Sequence, residues 1–213
     1  MEKAKFTIRI LCGTRPGSGT TLKYLDKSKL THVYGIEPNT SLHPQLHQAI
    51  RDHGLSGVYT VLACGAEDMR ALREAGITEG SVDTILSLKV LCSLPEPLAP
   101  ALRDLYRLIA PGGQWLVFEH VGNRRSVVTG LLQGMFFSMI AWREREEEAK
   151  IRETGVYQLF WPYMLSGCNI NRPTDKLLIA AGEWKRNDLY FMEEEKRWEV
   201  IPHVLGRLEK PGK

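Results

Sequence analysis

Pro16-Gly17-Ser18-Gly19-Thr20 and Glu37 are the residues whose types and spacing most directly suggest chemistry in this chain. The glycines open a helix-like stretch, and Glu37 ends the next strand-like run, 18 positions after Gly19. Glycines at such a turn let the backbone approach a ligand closely, and a strand-ending carboxylate can accept both hydroxyl protons of a ribose. This is the layout of an adenosine-cofactor site, although Gly17 and Gly19 also suit a plain structural turn. A second pair, Glu119-His120, ends a later strand-like run and is expected to face the same cleft. Histidine is the side chain best matched to proton transfer near neutral pH. His120 and Glu119 are therefore the candidate catalytic residues. The plainer reading of His120 is an imidazole hydrogen-bonded to a loop carbonyl.

The elements that must position these groups can be read from apolar periodicity. Phe6–Leu11, His32–Glu37, Tyr59–Ala63, Val82–Ser87 and Gln114–Glu119 are short, rich in aliphatic residues and bounded by Gly, Asp or Pro, which predicts strands. Between them, Thr20–Leu25, Leu42–His53, Glu67–Ala75 and Pro97–Ile109 have helical spacing. Such alternation predicts an α/β fold: a Rossmann-like, doubly wound sheet, mostly parallel, with the ligand at the carboxyl ends of its strands. Ser126 to Glu153 reads as a long helix, whole or broken, apolar first and almost wholly charged later. Its charged run is expected to be a solvated face with i,i+4 pairs such as Glu146–Lys150. Two last strands, around Asp188–Met192 and Trp198–Leu205, flank a charged turn at 193–197 and predict an antiparallel hairpin closing the sheet.

Bulk properties exclude several function classes. The chain has 213 residues, enough for one domain with a substantial core, and a net charge of +3 with no basic stripe, so nucleic acid is not the expected partner. Cys12, Cys64, Cys92 and Cys168 form no Cys-x-x-Cys pair, which argues against a metal knuckle or a disulfide framework and for a reduced, cytoplasmic setting. The first residues lack an apolar signal core. The longest apolar stretch, Val127 to Trp142, carries Thr129, Gly130, Gln133, Gly134 and Ser138 and falls short of the roughly 20 residues of a membrane span.

From Pro16 onward the sequence resembles the class I S-adenosylmethionine-dependent methyltransferases. More narrowly, it looks like the methyltransferase-like group of endoplasmic-reticulum thiol methyltransferases and their fungal relatives. The resemblance is carried in order by Pro16-Gly-Ser-Gly-Thr, Gly35-Ile-Glu-Pro-Asn39, Gly65-Ala-Glu67, Gly80-Ser-Val-Asp-Thr-Ile85, Leu88-Lys-Val-Leu-Cys-Ser93, Ala110-Pro-Gly-Gly113, Phe118-Glu-His-Val121 and Gly167-Cys-Asn169. It implies a single domain over 1–213, divided into a cofactor-binding half (1–120), a helical substrate lid (121–185) and a closing hairpin (186–207). The family's first motif has an acidic residue where Gly13 stands and a glycine where Arg15 stands. The match stops abruptly before Pro16, and the apolar anchoring segment usual in the group is missing. We therefore expect a mis-assigned first exon or a truncation; a continuous in-frame message through codon 15 would remove that idea. The second departure is Gly65, where many relatives carry an aspartate that reads the adenine amino group.

The resemblance implies S-adenosyl-L-methionine as cofactor, held by Gly17, Ser18, Gly19, Glu37, Pro38, Ala66, Glu67 and Leu88, with a small-molecule methyl acceptor as partner. Glu67 equally suits a helix N-terminal acid favoured by the dipole. Lys89 and Cys92 are placed at the rim where the methyl group should point, Cys92 also suiting a small buried hydrophobe. Phe136 and Trp161 are expected to wall an apolar acceptor pocket. Cys168 and Asn169 either line that pocket or cap a turn. His203 is expected to be structural. The apolar half of the long helix, including Leu131, Met135 and Phe137, suits a lid or a membrane-surface helix, which leaves peripheral association with endoplasmic reticulum or lipid droplets open. No metal is expected. By that resemblance thiol S-methylation is the favoured reaction, and a thiol of pKa about 8.5, partly ionised already, needs no strong base. O-methylation of a hydrophobic metabolite, and an inactive binding protein with a degenerate first motif, are the alternatives. Oligomeric state has no sequence signal.

Overall fold

The computed structural model describes residues 8–12, 18–123, 172–192, 195 and 202–212. Among these, eight strands form one sheet: β1 (Ile8–Cys12), β2 (Leu30–Ile36), β3 (Tyr59–Leu62), β4 (Val82–Leu88), β5 (Ile109–His120), β6 (Arg186–Asn187), β7 (Tyr190–Phe191) and β8 (His203–Glu209). The order is β3-β2-β1-β4-β5-β8-β6, with β7 also on β8. The first five strands are parallel, and β8 runs antiparallel to β5. The chain thus starts at the middle, winds outward on one side to β3, and returns to build the other side. This reversal of winding at β1 and β4 opens a crevice at the strands' carboxyl ends.

The helices follow from their apolar stripes. α1 (His43–Asp52) buries Leu46 and Ile50, and α3 (Leu98–Leu108) buries Leu98, Leu102, Leu105 and Leu108 at helical spacing. α2 (Met69–Glu74) and α4 (Thr174–Ile179) are shorter, and α4 packs on α3. The main core joins Ile85, Leu102, Trp115, Leu178 and Leu208, all at most 1% exposed. A smaller cluster of Leu22, Val33, Leu46, Ile50 and Leu55 lies under α1.

Three predicted elements need correction. Thr20–Leu25 is not a helix but one 3-10 turn, Leu22–Tyr24, after which Asp26 caps a second such turn through the Ser28 N–H at 3.0 Å. Asp68 caps α2 by accepting from the Ala71 N–H at 3.0 Å, so the helix starts at Met69 and Glu67 lies outside it. The closing hairpin is antiparallel as expected, but β8 starts at His203 and reaches Glu209, and its partner is split into β6 and β7. The split faces Gly206, with φ of +142°, where an added Cβ would strike the Asp188 carbonyl. The predicted helix over 126–153, with Phe136, lies outside the described residues, as do Trp161, Cys168 and Asn169.

Candidate active site

The crevice holds a cleft of about 200 Å³, lined by Ile36 and Pro38 after β2, Gly65, Ala66 and Glu67 after β3, and Val90, Ser93, Leu94 and Pro95 after β4. Three of the residues read from sequence as cofactor contacts, Pro38, Ala66 and Glu67, therefore meet in one place. Glu37 sits between two lining residues and is fully buried. Its Oε1 accepts from the Asn39 N–H at 2.9 Å, and His43 Nε2 lies 2.8 Å from its carbonyl oxygen. The apolar walls of the cleft fit the flat base of an adenosine cofactor, and Glu37 stands directly behind them.

Glu67 explains how Gly65 is tolerated. Its carboxylate folds back into the space that a Cβ on Gly65 would enter. A carboxylate therefore stands beside Gly65, at the mouth of the cleft. Gly19 has a structural duty as well. It is buried at φ of +86°, and an added Cβ would lie 2.6 Å from the Ala49 Cβ in α1. Gly19→Ala is expected to cost about 2 kcal/mol, from a left-handed backbone plus overpacking; urea denaturation measures it. Ser18 is exposed, Leu88 is half-buried at the end of β4, and Gly17 lies outside the described residues.

The loop after β4 is the part of the site most firmly held. Lys89 adopts φ of +58°, unusual for a residue with a side chain, donates its N–H to the Phe118 carbonyl at 2.7 Å, and places Nζ 5.0 Å over the Phe118 ring. Beyond it, the carboxyl of Glu119 accepts from the Val90 N–H at 2.9 Å and the Leu91 N–H at 3.1 Å. From the other side Arg172 Nη1 donates to the Leu91 carbonyl at 2.9 Å, and Nη2 pairs with Glu96 at 3.1 Å. Behind Glu119, Trp115 Nε1 donates to Ser87 Oγ at 3.0 Å, and the Ser87 hydroxyl bonds the Glu119 carboxyl. Burial outweighs these bonds and pushes the Glu119 pKa up from 4.5 to about 8.

The catalytic expectation for Glu119 is therefore corrected. It is fully buried and its oxygens are taken by the loop's backbone, so it is a positioning residue rather than a base open to an acceptor. The signal was present in the sequence: Trp115, Val117 and Glu119 share one face of β5, and that face is the buried one. His120 points the other way and is half-buried. Its Nδ1 lies 3.7 Å from the Sγ of Cys92, which is buried and also 3.7 Å from Ser93 Oγ. The sequence reading missed Arg172, Val90 and Leu94. It also missed what surrounds His203, whose ring lies 4.7 Å from that of His120.

Residues 14–117 match the family profile described as a methyltransferase domain. No curated protein matches the chain in sequence. Among solved structures, the 4+2 cyclase SpnF is similar at TM-score 0.63 and 15% identity, over 97% of this chain and 76% of its own. The CurJ carbon methyltransferase is similar at TM-score 0.60 and 14% identity, over 99% of this chain and 50% of its own. An O-methyltransferase family protein from Burkholderia thailandensis gives 0.56 and 15%, over 99% and 54%. The chain thus spans about half the length of the last two. These likenesses share the fold, and the profile covers the strands and loops that build the cleft. Residues 14–117, just under half of the chain, are thus similar to a methyltransferase domain, and the solved structures show the fold that such domains share.

Proposed function

We propose that the chain methylates a small, hydrophobic acceptor, with a thiol favoured over a phenol or alcohol. The observation that carries this reading is the state of the acid and the base at the end of β5, Glu119 and His120. Glu119 is engaged by backbone N–H groups, which leaves His120 as the proton acceptor of the strand ends. An imidazole suits an acceptor that ionises near neutral pH, and a thiol of pKa about 8.5 does so. The resemblance to the thiol methyltransferase-like group supports the same choice.

In this reading Glu37 and the backbone of 65–67 hold the nucleoside, while the loop at 90–94 closes over it. S-adenosylmethionine, when bound, supplies a methyl group activated by a sulfonium. The chain's own contribution is alignment, which can supply about 7–11 kcal/mol. Lys89 lends positive charge to a thiolate at the rim, and His120 takes the proton of an acceptor that arrives neutral. Peripheral membrane contact remains part of the proposal through the apolar stretch at 127–142; no helix among the described residues is long and apolar enough to cross a membrane.

The test is a methylation screen with purified chain, S-adenosylmethionine and matched alkyl thiol and phenol acceptors, read by mass spectrometry. Turnover of the thiol at ten times the phenol's rate or more is expected. Phenol turnover in excess of thiol would replace S- with O-methylation, and cofactor binding without any turnover would favour a binding protein.

A further inference from the structure

His203 and Glu195 form an arrangement that the reading above does not use. The Glu195 carboxylate holds His203 twice: one oxygen accepts from the His203 backbone N–H at 2.8 Å, the other bonds ring Nδ1. A carboxylate only accepts, so the ring proton resides on Nδ1 and Nε2 carries the lone pair. That Nε2 is buried with no hydrogen-bond partner among the described residues. The ring itself is fixed from two more sides. Phe118 stacks on it at 5.0 Å and 19°, and His120, directly opposite in the β5–β8 register, meets it at 4.7 Å and 64°.

The charged and titratable groups around this pair come from every neighbouring element. Cys92 faces His120 from the loop after β4, Lys89 acts on His203 from the end of β4, and Glu195 lies before β8. Glu119 is on the opposite face of β5. Burial, opposed by Glu195, holds the His203 pKa below the usual histidine value, so this ring stays neutral near pH 7. A carboxylate lodged behind a neutral ring adds attraction, and no second positive charge, for the cationic form of the imidazole that the ring meets. The logic is that of a carboxylate behind a catalytic histidine, displaced by one ring.

We propose that His203, clamped by Glu195, is a positioning residue that stabilises the imidazolium formed when His120 takes a proton from the methyl acceptor. The balance is simple. The acceptor's X–H bond breaks, its proton goes to His120, and its electron pair forms the new X–CH3 bond. The S–CH3 bond of the sulfonium breaks with its pair remaining on sulfur, which leaves as a neutral thioether. His120 then returns the proton to solvent. The role in catalysis rests on the methyltransferase reading, but the coupling between the two rings does not.

The experiment reads that coupling directly. Ring nitrogen and carbon shifts of His120 and His203 are followed by NMR against pH in the wild-type chain, in His203→Leu and in Glu195→Gln. The wild type should show His203 as the Nδ1–H tautomer. The His120 midpoint should fall by half a pH unit or more in His203→Leu, and by a smaller amount in Glu195→Gln. A midpoint unchanged in both variants, or an Nε2–H tautomer, would overturn the proposal. Glu195→Gln keeps the side chain's shape and one of its two acceptor oxygens, so it covers the case in which His203→Leu does not fold. Turnover of alkyl thiol and phenol acceptors is measured separately: absence of both alongside a shifted midpoint sinks the methyltransferase reading and leaves the ring coupling standing.

Discussion

Glu119→Ala is expected to destabilise the domain by about 3–5 kcal/mol at pH 6 and to abolish cofactor binding. Truncation leaves the buried N–H groups of Val90 and Leu91 without an acceptor, and each such loss costs roughly 1–3 kcal/mol. It also opens a cavity behind Ser87 and Trp115, which adds to the cost. The loop that supplies Val90, Ser93 and Leu94 to the cleft then loses its side-chain anchor on β5 and keeps the one from Arg172. Chemical denaturation measures the first effect and calorimetry the second. A variant as stable as the wild type would show that the loop is held by packing alone.

The same residue predicts a pH dependence. Its folded pKa is raised from 4.5 to about 8, so the folded protein holds a proton that the unfolded chain releases between those values. Stability from this group is therefore fully present below about pH 4.5 and is lost as pH rises towards about 8. The limiting slope is about 1.4 kcal/mol per pH unit. Glu119→Gln, which is neutral throughout, should flatten the profile across that window. Urea midpoints from pH 5 to 8 in both proteins decide it: parallel profiles would mean that Glu119 is ionised in the fold.

Glu37→Ala should weaken S-adenosylhomocysteine binding by about 2–4 kcal/mol, thirtyfold or more, because hydrogen bonds to a charged carboxylate contribute about 1.5–3 kcal/mol each. The residue is buried and also accepts from the Asn39 N–H, so Glu37→Gln is the control that keeps shape and one acceptor. Affinity unchanged in Glu37→Ala would remove the ribose assignment while leaving the fold untouched.

Much of this was legible in the sequence because parallel α/β sheets announce themselves locally. Val33 and Ile36 in β2, Ile85 in β4 and the Leu98, Leu102, Leu105 stripe in α3 each report their own burial through spacing alone. Pro38, Ala66 and Glu67 meet in the cleft because they follow strand ends, and strand ends share an edge. What was not legible depended on pairing between distant strands. The place of His203 beside His120 follows from the β5–β8 register, which a sequence does not print. Glu119 was misread for a related reason: a carboxylate at a strand end looks available until the neighbouring loop's N–H groups are placed against it. Arg172 lies 81 positions from the Leu91 carbonyl it bonds, and no local pattern connects the two.

Calorimetric titration of the purified, folded chain with S-adenosylmethionine and S-adenosylhomocysteine tests the central claim most directly. Saturable binding with a micromolar dissociation constant, lost in Glu37→Ala, is the result predicted by a cleft built from Pro38, Ala66, Glu67 and the loop at 90–95. A folded sample that binds neither molecule would contradict the account and leave a methyltransferase fold without methyltransferase chemistry.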